Sequence, residues 1–157
     1  MIRRLRKADR EQLIKLFWEF NRYNKENLVS KDLRPFHEYK NPKQAFAQGA
    51  DDYINKEEFV VFVAEIDGRL VGYCAAKIID KHDRILNKEA AVEDWFVIDT
   101  FRGKKIGEKL FDATVAEVKK RGCTHIRLDT FTSNKKAQDI YHKYGFIDNT
   151  IEMYKKI

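Results

Sequence analysis

The sequence predicts a single mixed α/β domain over residues 1–157: a mostly antiparallel sheet with a parallel central pair and helices on both faces. Three observations predict it. The apolar residues first repeat at helical spacing, with Leu13, Leu16, Phe17 and Phe20 on one stripe, and then shift to strand-like runs from Glu58 onward. Asp67-Gly68 stands between two such runs, which is the signature of a tight hairpin and so of antiparallel neighbours. The strand, helix and strand between Ala91 and Thr130 form a crossover, which requires parallel pairing of its two strands.

The elements follow in order. "IRRLR" is a short first strand with Ile2 and Leu5 apolar, and Asp9 is the expected N-cap of a helix to about Asn24. Pro35 and Pro42 break the next region, and Pro42 opens a second helix to about Asn55. "EFVVFVAEI" and "LVGYCAAKII" are the hairpin strands, "DKHDRILNKE" is a polar connection, and "AAVEDWFVI" is a further strand. "GEKLFDATVAEVKK" turns Leu110, Phe111, Thr114, Val115 and Val118 inward and ends at Gly122. "THIRLDT" is a strand. "SNKKAQDIYHKYGF" is a helix capped by Ser133 or Asn134 and closed by Gly145, and "FIDNTIEMYKKI" supplies one or two last strands.

Composition narrows the function classes. The chain is long enough to bury a core without staples. Its two cysteines, Cys74 and Cys123, lack metal-ligand spacing, as do its four histidines, so no metal is expected. No signal-peptide core opens the chain, and the longest apolar run, Phe59 to Ala64, is too short to span a bilayer. A cytoplasmic protein is expected. The net charge of +6 permits an anionic partner, but acidic and basic residues are interleaved, and no reading helix or basic-aromatic sheet pattern points to nucleic acid.

The joint "VEDWFVIDTFRGKKIGEKL" carries the chemistry. A strand, a basic loop with two glycines and a helix N-terminus make an anion site suited to a pyrophosphate. Arg102, Lys104 and Lys105 add charge, and neither the Walker nor the dinucleotide fingerprint is present. In the strand before it, alternation places Glu93 with Ala91, Trp95 and Val97, and Asp94 with Val92, Phe96 and Ile98. At least one carboxylate therefore lies in an apolar row, where a raised pKa suits a general base. A structural ion pair is the other reading.

These motifs resemble those of the GNAT superfamily of acyl-CoA-dependent N-acetyltransferases. The family loop Arg/Gln-x-x-Gly-x-Gly/Ala is matched by Arg102-Gly103-Lys104-Lys105-Ile106-Gly107, with Lys105 where the family has glycine. The later pattern Asn-x-x-Ala-x-x-x-Tyr-x-x-x-Gly-Phe is matched by Asn134, Ala137, Tyr141, Gly145 and Phe146. The order of elements agrees along essentially the whole chain, and "VEDWFVIDTFRGKKIG" is similar to the diamine- and polyamine-acetyltransferase branch.

The resemblance implies acetyl-CoA as co-substrate and a small primary amine as acceptor, without a covalent enzyme intermediate. Amides near Phe96 and Val97 would hold the pantetheine arm like an added strand. Amides of Gly103, Lys104, Lys105, Ile106, Gly107 and Glu108 would cradle the pyrophosphate. Asn134 would bond the pantetheine or a water, Tyr141 would protonate the leaving thiolate, and Glu93 would help deprotonate the ammonium. Other acceptors stay open: a protein lysine, an N-terminus or an aminoglycoside. So does a CoA sensor without turnover. Specificity is expected from the region between Asn21 and Glu57 and the loop from Asp80 to Glu89. Dimers are common in the family, so a homodimer is a further expectation.

At Lys105, a left-handed backbone would cost about 1–2 kcal/mol. Either the loop avoids that conformation, or the ammonium offsets the cost on phosphate.

Overall fold

The computed structural model describes residues 1–157. Five strands form one sheet in the order of the chain: β1 (Ile2–Arg4), β2 (Phe59–Ile66), β3 (Arg69–Asp80), β4 (Lys88–Val97) and β5 (His125–Leu128). The first four are antiparallel neighbours, and β4 and β5 are parallel. The β2–β3 hairpin turns at Asp67 and Gly68, both with positive φ, as a tight primed turn requires.

Helices α1 (Arg10–Asn27), α2 (Arg34–His37) and α3 (Pro42–Asn55) lie between β1 and β2; α4 (Ile106–Lys120) joins β4 to β5, and α5 (Lys135–Lys143) follows β5. One core gathers Leu13, Leu16 and Phe17 of α1 and Phe46 of α3 against Tyr73, Ala75 and Phe96 of the sheet. The other gathers Leu110, Phe111 and Val118 of α4 against Val71, Cys74 and Val92 on the opposite face. The sheet is thus covered on both sides, as the alternation of its strands demands.

Two local expectations are corrected. Asp9 does not cap α1. Its carboxylate turns back to the Arg3 guanidinium at 2.7 Å and to the Arg6 amide at 2.8 Å, and Arg3 also holds Glu65. The last strands do not form either: residues beyond Phe146 have no regular structure, and Ile147, Ile151, Met153 and Ile157 are exposed. The parallel pair is present, and for lack of those strands it stands at the end of the sheet rather than its centre.

Candidate active site

The site begins with a break in pairing. β4 is bonded to β5 only from Glu89 to Val92. On its other side, the register with β3 shifts between Ala75 and Ala76, which oppose Asp94 and Val92. Glu93 is the extra residue of a β-bulge, and bulges bend a strand and re-aim its side chains. Beyond it, β4 keeps β3 on one flank and leaves an open seam toward β5.

The bulge corrects the expected faces. Val92, Trp95 and Val97 all meet the α4 core, while Phe96 packs on the α1–α3 side. The extra residue between Val92 and Trp95 is what strict alternation missed. Glu93 is exposed at the turn of the bulge. The carboxylate set among apolar neighbours is Asp94, which accepts a 2.6 Å hydrogen bond from the Tyr53 hydroxyl of α3.

The ladder decides which backbone groups face the seam. Ile98 N donates to Val71 O at 3.0 Å, so Asp94 and Phe96, in phase with it, also turn their groups to β3. Trp95 and Val97 turn theirs outward. Of the two amides expected to hold a pantetheine arm, that of Val97 faces the seam, and that of Phe96 is spent on β3. Trp95 takes its place. Gly72, opposite Val97, has no room for a side chain: a Cβ there would lie 2.7 Å from Phe96 O.

The basic loop follows the strand through a 3-10 turn at Asp99–Phe101. Gly103 and Lys105 are both left-handed, with φ of +76° and +58°. So the loop does not avoid the strained conformation at Lys105. No side chain caps α4, and the amides of Gly103 through Glu108 have no protein acceptor. Such an N-terminus, with Lys104 and Lys105 exposed beside it, attracts an anion. Arg102 is placed otherwise. Its Nε donates to Val97 O at 2.9 Å, it pairs with Asp99 at 2.6 Å, and its guanidinium stacks 4.2 Å from the Tyr23 ring of α1. It ties the loop to β4 and α1 instead of adding charge to the phosphate site.

Across the seam stands α5. Asn134 is its N-cap, with Oδ1 accepting from Ala137 N at 3.3 Å, which leaves the amide nitrogen free. At the other end Gly145 has φ +85°, and Phe146 N and Gly145 N bond to Tyr141 O and His142 O, a Schellman closure. The Tyr141 ring stacks on Trp95 at 5.6 Å, and Trp95 in turn stacks on Phe111 at 4.4 Å. The Trp95 indole is fixed by a 3.0 Å bond to Gly107 O. The Tyr141 hydroxyl has no protein partner. Burial, with the charges of Cys74 and Asp129, pushes its pKa up to about 12, so it stays a proton donor at neutral pH.

Asp94 has the opposite surroundings. Burial pushes its carboxyl up to about 6; the Tyr53 bond opposes that shift, and the Glu93 charge adds to it. Asp129, just past β5, also bears on it. The fully buried Tyr73 hydroxyl has no partner within bonding distance. Neither Tyr53 nor Asp129 belongs to a motif; the only trace in sequence is Tyr53 inside the acid run "ADDYINKEE". Two acids of that run are engaged elsewhere, Asp51 with Arg10 and Asp52 with Lys56. The loop after β3 lies at the far end of β4. There Lys81, Arg84, Leu86 and His125 line a cleft of about 710 Å³, away from the seam.

The sequence profile described as the acetyltransferase (GNAT) family matches residues 11–146. This chain belongs to that family. It is 29% identical over 127 residues to an uncharacterized N-acetyltransferase of Methanocaldococcus jannaschii, a match covering 79% of this chain and 55% of that one. The chain thus spans about half the length of that relative. It is 30% identical over 105 residues to the glucosamine 6-phosphate N-acetyltransferase of Arabidopsis thaliana, covering 67% and 66% of the two chains. A solved Bacillus halodurans protein superposes with a TM-score of 0.81 over 100% of this chain and 99% of that one, at 20% identity, a likeness of fold. In this GNAT chain no helix is long and apolar enough to cross a membrane, and no cluster of metal-ligating side chains occurs.

Proposed function

We propose that the chain is an N-acetyltransferase that moves the acetyl group of acetyl-CoA onto a primary amine by direct attack, with a small diamine or polyamine as the favoured acceptor. The observation that carries this reading is the open seam of β4, which runs from the bulge at Glu93 to the uncapped N-terminus of α4. A pantetheine arm fits the seam as an added strand on the Trp95 and Val97 backbone, and its pyrophosphate reaches the amides of residues 103–108. The Asn134 amide nitrogen is free to bond the arm.

An amine is protonated at neutral pH and must lose a proton before it attacks. The bulge offers two carboxylates for that proton, Glu93 and Asp94, acting directly or through water. The oxyanion that forms on the carbonyl needs a donor, and the Val97 amide is the outward-facing one. As the C–S bond breaks, Tyr141 gives its proton to the thiolate. The ammonium loses two protons overall; one ends on the thiol and the other leaves to solvent. The carboxylates of Glu93, Asp94 and Asp129 near the seam favour a cationic acceptor over the sugar phosphate of the Arabidopsis relative. Pairing of two copies would cover the exposed Ile151, Met153 and Ile157, and a molar mass by light scattering decides it.

The test is thiol release from acetyl-CoA with spermidine, short diamines, lysine peptides, N-terminal peptides and aminoglycosides in parallel, beside an acetyl-CoA thermal shift. Turnover with diamines or spermidine above the rest is expected. Turnover with another class replaces the acceptor. A thermal shift with no turnover makes the chain a CoA sensor.

A further inference from the structure

The two faces of the seam carry different chemistry. Tyr141 stands on the α4 side with Trp95 and Phe111. Asp94 stands on the α1–α3 side with Tyr53 and the Phe96 ring. An acetyl group held in the seam therefore has a proton donor on one face and a carboxylate on the other. Direct transfer uses both groups: one takes a proton from the amine as nitrogen adds to the carbonyl, and the other protonates the sulfur as the C–S bond breaks.

Resting on the acetyltransferase reading, we propose that Asp94 is the catalytic carboxylate that takes the proton from the amine, and that Tyr53 is the positioning residue that keeps Asp94 ionised and aimed. Glu93, exposed on the bulge, draws the cation to the rim. The geometry supports this in three ways. The bulge puts Asp94, not Glu93, on the α1–α3 side, where the Tyr53 hydroxyl meets it. The 2.6 Å bond from Tyr53 fixes one carboxylate oxygen and leaves the other for the amine. Asp94 is half-buried, so its carboxylate is not sealed from the seam. A carboxyl raised to about 6 is ionised at neutral pH and is a better proton acceptor than an ordinary one. The groups that bear on it are Tyr53 of α3, Tyr73 of β3, Glu93 beside it and Asp129 past β5. None is a cation, so the Tyr53 hydrogen bond is what favours the charged form. The step balances: Asp94 takes one proton from the ammonium and later releases it to solvent, the freed lone pair forms the C–N bond, the C–S pair goes to sulfur, Tyr141 protonates the sulfur, and the second proton leaving the nitrogen restores Tyr141.

The experiment uses the full chain, acetyl-CoA and the best amine from the panel, with kcat/KM followed from about pH 5 to 9. Asp94→Asn should lower kcat/KM by about 10²–10⁴ and remove the acidic limb. Tyr53→Phe should keep turnover but move that limb up by about one pH unit, because the bond that favours the carboxylate is gone. Glu93→Gln should raise KM for the amine and leave the limb in place. Thermal melts confirm folding; if Asp94→Asn does not fold, the limb shift in Tyr53→Phe decides. A limb abolished by Glu93→Gln and unmoved by Tyr53→Phe overturns the assignment and leaves the acetyltransferase standing. A wild-type chain that acetylates no amine overturns both.

Discussion

Near its start, β4 carries Glu89, 3% exposed, with Lys81 at 2.7 Å, His125 at 3.1 Å and Arg127 at 3.2 Å around one carboxylate. Further along it carries Asp94, whose one hydrogen bond comes from a neutral phenol. Burial raises both carboxyls. At Glu89 the hydrogen bonds from Lys81, Arg127 and His125 overcome it and hold the group down to about 2, while at Asp94 it wins and the group sits near 6. The same contrast runs through the rest of each end. The first half of β4 is paired on both flanks. The second half has a bulge, an open edge, an unpartnered Tyr73 hydroxyl and, just beyond, a left-handed lysine before an uncapped helix. Costly features gathered at one end of a strand mark where the fold keeps a site instead of optimising stability.

The largest expected effect separates the two carboxylates by activity. Asp94→Asn should cost about 10²–10⁴ in kcat/KM, whereas Glu89→Gln, in whatever fraction folds, should stay within about threefold of wild type. Comparable losses in both would mean that Asp94 acts through structure alone.

Stability should order them the other way. Removing Glu89 leaves Lys81 and Arg127 without their shared carboxylate, and since both reach solvent the cost of Glu89→Ala should be about 1–3 kcal/mol. Asp94→Asn should be neutral or stabilising at pH 8. The folded state holds the Asp94 proton up to about 6, above the ordinary value of 3.8, so stability falls as pH rises through that window. The penalty above it is at most roughly 3 kcal/mol. Glu89 has the opposite sign: its contribution is complete above the ordinary value of 4.5 and is lost as pH falls toward about 2. Urea midpoints of wild type and Asp94→Asn should agree near pH 4 and part above pH 6. Curves that stay parallel would place the Asp94 titration elsewhere.

The two ends also differ in how far the sequence disclosed them. Asn134, Tyr141 and Gly145 carry the α5 cap, stack and closure at fixed spacing on a short local element, so the residues alone located them. The hairpin at Asp67-Gly68 was legible for the same reason: its geometry depends on its own two residues. Glu93 and Asp94 were not separable. A one-residue bulge inverts every face after it, and the partner strand sets the bulge. Phe96 and Val97 could not be told apart as ligands for the same reason, since register decides which amide faces out. Arg102 was visible as a charge in a basic loop; its turn inward onto Tyr23 depends on α1, distant in sequence. One or two last strands were expected in "FIDNTIEMYKKI", but a strand needs a partner edge as well as a sequence, and residues 147–157 have no ladder.

The smallest effect belongs to Lys105, the other locally costly residue at this end of β4. Its φ of +58° should cost about 1–2 kcal/mol relative to glycine, part of which glycine gives back in a more disordered unfolded chain. Lys105→Gly should therefore change the unfolding free energy by no more than about 1 kcal/mol, in the stabilising direction. If the strain is kept for the cofactor, as the Asp94 penalty is kept for the amine, the same variant should weaken acetyl-CoA severalfold, with a shallower salt dependence, because one cation beside the phosphates is gone. Titration calorimetry at two ionic strengths measures both quantities. Tighter binding in Lys105→Gly would show instead that the side chain only crowds the loop. The contrast between the two ends of β4 would then hold for its carboxylates and stop short of its glycine-like turn.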